Sequence, residues 1–107
     1  MEIKTVKLQG KEYAPVGERI KAFHETYSKD TSIETNVEFK EGWAYVKATI
    51  KFDGKIFNGH SFGKLEKEKA LEKLETVAVG RALAFSGFAP DGSIASYEEM
   101  EKFNGNE

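Results

Sequence analysis

The residues able to do chemistry fall in two short stretches. From Trp43 to Lys51, the side chains Trp43, Tyr45, Lys47, Thr49 and Lys51 alternate with apolar ones. A strand carrying them on one face presents ring planes beside ammonium groups, the combination that stacks bases and holds phosphates. In ETVAVGRALAFSGF (75–88), Arg81 stands among Val77, Ala78, Val79, Ala82, Leu83, Ala84 and Phe85, beside Gly80. A guanidinium in apolar surroundings must reach a carboxylate, carbonyls, water or a ligand's phosphate. An internal salt bridge to Glu75, Glu72 or an acid in the tail satisfies it as well as a phosphate does, and the sequence leaves the two even. Gly80 gives up roughly 1 kcal/mol of helix propensity, which points to close approach by another backbone or by a ligand.

Nothing comparable speaks for catalysis. His24 and His60 are the only histidines and have no partner at a ligand or triad spacing. No metalloprotease helix, Gly-rich phosphate loop or nucleophile elbow occurs. The absence of Cys removes a disulfide framework, a thiol nucleophile and a cysteine-ligated zinc site. We therefore expect no enzyme, no catalytic residue, no metal and no cofactor. The net charge is −2, but much of the acidity lies in the last twenty or so residues, where Lys102 faces Asp91, Glu98, Glu99, Glu101 and Glu107. The preceding chain is slightly basic and can carry one basic face. No apolar run is long enough to span a bilayer, and MEIKTVKLQGKEY lacks a signal-peptide pattern, so the expectation is a cytoplasmic protein without a membrane partner.

The elements that must position these residues follow from periodicity. At this length the chain is one domain, residues 1–107, with a core over about 11–88 and an acidic tail over 89–107. Pro15 opens a first helix with Val16, Ile20, Phe23 and Tyr27 on one stripe and Arg19, Lys21 and Glu25 off it. A three-stranded antiparallel meander follows, turned at Glu41-Gly42 and Asp53-Gly54. Two-residue turns place Phe39 opposite Ala44, Val37 opposite Val46 and Ile33 opposite Ile50, all on one core face. The other face gathers Glu34, Asn36, Glu38, Trp43, Tyr45, Lys47, Thr49 and Lys51 with Ile56, Asn58, His60 and Phe62. The third strand fits less cleanly, because Phe57 joins the core side while Ile56 and Phe62 do not. A long helix is expected over 64–86 and closed by Gly87, with a last helical turn in SYEEMEKF and an edge strand at Ile3 to Leu8. The fold class is α+β, in the order β-α-β-β-β-α, with one sheet face covered by the long C-terminal helix. The polar face also has an ordinary reading, in which Lys47 pairs diagonally with Glu34 or Glu38 across the strands.

The pattern Thr76, Arg81, Ala82, Leu83, Gly87 resembles the helix signature of single-strand annealing proteins, the essential-recombination-function group of phages and their eukaryotic recombination-mediator relatives. Gly42-Trp43, Asp53-Gly54 and Phe62-Gly63 fall in comparable places, and the similarity runs over about residues 11–100. It is strongest toward short phage-type single-stranded-DNA-binding proteins. The resemblance implies sequence-independent binding of single-stranded DNA in recombination or replication, with or without annealing, often as a homo-oligomer in the host cytoplasm. Taken with the Lys/aromatic strand, the expectation is phosphate contacts from Arg81, Lys47 and Lys51 and stacking or groove-shaping by Trp43 and Tyr45, with Lys64, Arg19 and Lys21 as further candidate cations. The eukaryotic relatives carry a basic pair before Ala-Leu; here Arg81 matches the second member and Gly80 replaces the first. RNA stays open, because stacking and phosphate contact do not read the 2′-OH. The alternative is an oligomerising protein-interaction or inhibitor module without nucleic-acid binding, built on the apolar run from Val77 to Phe88, with Arg81 paired to an acid.

Overall fold

Two dipeptides build the sheet. Glu41-Gly42 (φ 51° and 84°) and Asp53-Gly54 (φ 49° and 72°) have positive φ at both positions, as turns matched to the twist of paired strands require. The computed structural model describes residues 2–89 and 94–103. Its elements are β1 (Val6–Leu8), β2 (Lys11–Tyr13), α1 (Val16–Thr26), β3 (Ser32–Lys40), β4 (Trp43–Phe52), β5 (Lys55–Lys64), α2 (Ala70–Phe85) and α3 (Tyr97–Phe103). The fold is α+β: a small hairpin, a helix, and a three-stranded antiparallel meander packed against α2. The expected register holds, with Ile33 opposite Ile50, Val37 opposite Val46 and Phe39 opposite Ala44. The second turn is also two residues long, so Ile56 and Phe62 do face away from the core.

Residue size decides where α2 sits. On the core face, Ala44, Ala48, Gly59, Ser61 and Gly63 line a shallow trough along β4 and β5. The helix backbone drops into it so closely that a Cβ on Gly59 would strike the Ala78 carbonyl oxygen and the Ala82 nitrogen. The Ser61 hydroxyl donates to the Leu74 carbonyl at 2.6 Å. Beyond the trough the core turns aromatic: Phe23, Tyr27, Phe52, Phe57 and Phe88 form a cluster of neighbouring rings joining α1, the sheet and the end of α2. Gly87 and Phe88 close α2, donating to the Ala84 and Leu83 carbonyls respectively, the paired bonds of a Schellman end.

Two expectations change. The long helix begins at Ala70, not Lys64, because β5 runs on to Lys64 and Leu65 still donates to the Gly42 carbonyl. Lys69, at φ 67°, then turns the chain into the helix. The N-terminal strand does not extend the main sheet. It pairs with Lys11–Tyr13 in a hairpin of its own, turned at Gln9-Gly10 with positive φ at both residues.

The described part of the tail is stitched to the body. Pro15 offers no side-chain cap to α1; Glu98 supplies one, accepting from the Val16 N–H at 3.1 Å. Residues 90–93 and 104–107 of the expected acidic tail lie outside the described residues. Among the described residues, no helix is long and apolar enough to cross a membrane.

Candidate nucleic-acid interface

Alternation sends every second side chain of the meander to the face opposite α2. β3 contributes Ser32, Glu34, Asn36, Glu38 and Lys40; β4 contributes Trp43, Tyr45, Lys47, Thr49 and Lys51; β5 contributes Ile56, Asn58, His60, Phe62 and Lys64. All of them are exposed or half-buried. The register sets Phe62 directly across from Tyr45 and diagonal to Trp43, so three rings form one stack. The Phe62 ring lies 5.7 Å from Tyr45 at 8° between planes, and 5.8 Å from Trp43 at 28°. Phe62 is 64% exposed and Tyr45 46% exposed. The Lys64 ammonium sits 5.8 Å from the centre of the Trp43 ring, within cation–π range.

Beyond the stack the face becomes polar. Lys47 and His60 share the next row, and then the Thr49 hydroxyl donates to Asn58 Oδ1 at 2.8 Å. Lys51 reaches Glu34 Oε2 at 4.0 Å with both side chains exposed, a contact worth well under about 1 kcal/mol. Lys51 is thus the lysine that pairs diagonally with Glu34; the described ion pairs include none for Lys47. Lys40, Lys47, Lys51 and Lys64 outweigh Glu34 and Glu38 here, so the face is basic although the chain is acidic. Ring faces and mobile ammonium groups together can stack planar groups and neutralise phosphates. No group of His, Asp or Glu residues suited to a metal ion occurs among the described residues.

The expected contact residues divide between the two sides of the sheet. Trp43, Tyr45, Lys47 and Lys51 come together as the alternation predicts. Lys64 joins them as the last residue of β5 rather than the first of a helix. Arg81 does not join them, because α2 lies on the other face. Its Nη1 donates to the His60 carbonyl at 2.6 Å and its Nη2 to Glu99 Oε1 at 2.8 Å, so the guanidinium clamps α3 to the edge of β5. Arg19 is fully buried, at 0% exposure, which withdraws it from any surface contact. Its Nη1 donates to the Gly80 and Ile94 carbonyls and its Nη2 to the Ala95 carbonyl, at 2.9 to 3.1 Å. Burial pushes the Arg19 pKa below its ordinary value, and the carboxylates of Glu99 and Glu98 push it back up. Lys21 is exposed on α1, in a shallow cleft with Glu2, Lys4, Glu18 and Glu25 on the helical side. Gly80 serves the fold: a Cβ there would come within 2.6 Å of Val16 Cγ2. Phe62 and Lys40 were not among the expected contacts. The register that places Tyr45 on this face carries the signal for both.

Comparison with family models, with curated proteins and with solved structures finds no match.

Proposed function

We propose that the chain binds single-stranded DNA along the open face of its sheet, largely without regard to sequence. One observation carries this reading: the Trp43–Phe62–Tyr45 stack lies on an uncovered face bordered by Lys64, Lys47 and Lys40. Exposed aromatic rings favour planar ligands, and flanking lysines favour a repeating anion; a single strand supplies both along its length. A role in phage-type recombination or replication rests on the resemblance of residues 11–100 alone. The mechanism is binding, with bases against Phe62 and Tyr45 and phosphates on the lysines.

Fluorescence anisotropy with a labelled oligothymidylate at low salt tests it. Phe62→Ala and Tyr45→Ala should each weaken binding about tenfold, as loss of one stacked base implies. Arg81→Ala should change affinity far less. A loss with Arg81→Ala as large as with Phe62→Ala moves the binding site to the edge of β5, and no binding by the wild type ends the proposal.

The Arg81–Glu99 pair favours a second reading. With its charge met inside the molecule, Arg81 needs no phosphate, as in a protein-interaction or inhibitor module. Recovery of a protein partner from nuclease-treated lysate, together with no anisotropy change, selects that reading.

A further inference from the structure

The two edges of the sheet are not equivalent. At the β5 edge, the outward His60 carbonyl is taken by Arg81, and α3 is clamped beside it. Among the described residues the β3 edge shows no such clamp: the strand packs on β4 and touches α2, where the Thr35 hydroxyl donates to Glu75 Oε2 at 2.8 Å. All nine residues of β3 stay in register with β4, and the strand holds neither Pro nor a bulge, two of the devices that blunt an open edge; its Glu34, Glu38 and Lys40 are the charges it does carry. Because Lys40 and Trp43 close a two-residue turn as a bonded pair, alternation points the backbone groups of Ile33, Thr35, Val37 and Phe39 outward. The core side of this edge is also incomplete. With α2 seated over β4 and β5, Phe39 remains 62% exposed and Thr35 is exposed.

We infer that a second copy of this chain docks antiparallel on β3, with the two-fold axis at Val37. Among registers that use these outward backbone groups, centring on Val37 keeps residues 34–40 paired and sets opposite charges against each other within the strand. Centred on Val37, Glu34 faces the partner's Lys40 on the open side, twice by symmetry, and Thr35 faces the partner's Phe39 on the core side. Val37 then meets the partner's Val37 as a closely bonded pair, which uses the backbone groups already pointing outward. Centring on Asn36 instead sets Glu34 against the partner's Glu38 twice, and centring on Glu38 opposes two glutamates on the axis; like charges directly opposite are destabilising. The product is one continuous sheet of six strands, with the aromatic face doubled on one side and both Phe39 rings covered on the other.

Light scattering coupled to size exclusion, run over a range of concentrations without nucleic acid, reads the outcome independently of DNA binding. The wild type should show twice the chain mass. Glu34→Lys and Lys40→Glu should each weaken dimerisation about tenfold, and the double variant Glu34→Lys/Lys40→Glu should restore it. Both positions are exposed, and circular dichroism confirms that each variant folds. The chain has no Cys, so any disulfide in a single-Cys variant joins two copies. Val37→Cys should cross-link, since closely bonded partners lie about 5.5 Å apart between Cα atoms, inside the disulfide range. Asn36→Cys, diagonal to its own mate in this register, should not. A wild type that stays monomeric, a double variant that fails to recover, or cross-linking of Asn36→Cys as fast as Val37→Cys overturns the inference.

Discussion

The two arginines of the core region exchange the roles their neighbours suggest. Arg81 sits in an apolar run, yet its side chain is 39% exposed and bridges to Glu99, itself 15% exposed. Arg19, outside the apolar stripe of α1, is the buried one. The stripe marks only the face toward the aromatic cluster; α1 also packs on α2, and the described tail covers the Arg19 guanidinium. Three carbonyls from two separate segments converge on that group. Arg19→Met should therefore destabilise by about 3 kcal/mol, because it removes the buried charged donor that ties α2 to the described tail. Arg19→Lys should recover little, since one ammonium cannot reproduce the planar fork. Arg81→Ala, at a half-open site, should lose about 1 kcal/mol. Urea unfolding of the three variants checks the order: a smaller loss for Arg19→Met than for Arg81→Ala contradicts the assignment of Arg19 as the structural hub.

At the scale of elements, the seating of α2 depends on the absence of side chains. Gly59 meets the helix backbone itself, which cannot yield as a side chain can, so Gly59→Ala should cost at least about 2 kcal/mol. Gly17, helical and with nothing near its Cβ position, should gain roughly 0.5 kcal/mol on change to Ala. Thermal unfolding of both checks the contrast, and equal shifts contradict a trough closed by Gly59. The sheet was legible because period-2 alternation and two Gly-containing turns fix register locally. The start of α2 was not, since KLEKEK suits a solvated helix face and a solvated turn equally, and only the pairing of Leu65 with Gly42 decides. The first hairpin was hidden by strands of three residues, too short to show a period.

For the whole molecule, the sheet acts as a partition, and this explains which contact residues the sequence could group. Trp43, Tyr45, Lys47 and Lys51 share a strand, so alternation alone unites them. Whether Arg81, Arg19 and Lys21 join them depends on which face the helices cover, and no local pattern states that. The partition also separates two contributions to binding on the open face. Each phosphate neutralised on a single strand adds about −0.7 to the slope of log K against log salt, whereas stacking adds nothing to it. Lys40, Lys47, Lys51 and Lys64 set the steepest slope the face can give, and Glu34 and Glu38 reduce it. Lys64→Ala should flatten the slope by about 0.7 while leaving substantial affinity at high salt. Phe62→Ala should lower affinity about tenfold at every salt concentration with the slope unchanged. Anisotropy titrations across a salt series distinguish them. If Phe62→Ala changes the slope as Lys64→Ala does, the ring acts only by positioning the lysines. If neither variant alters binding, the strand does not lie on this face.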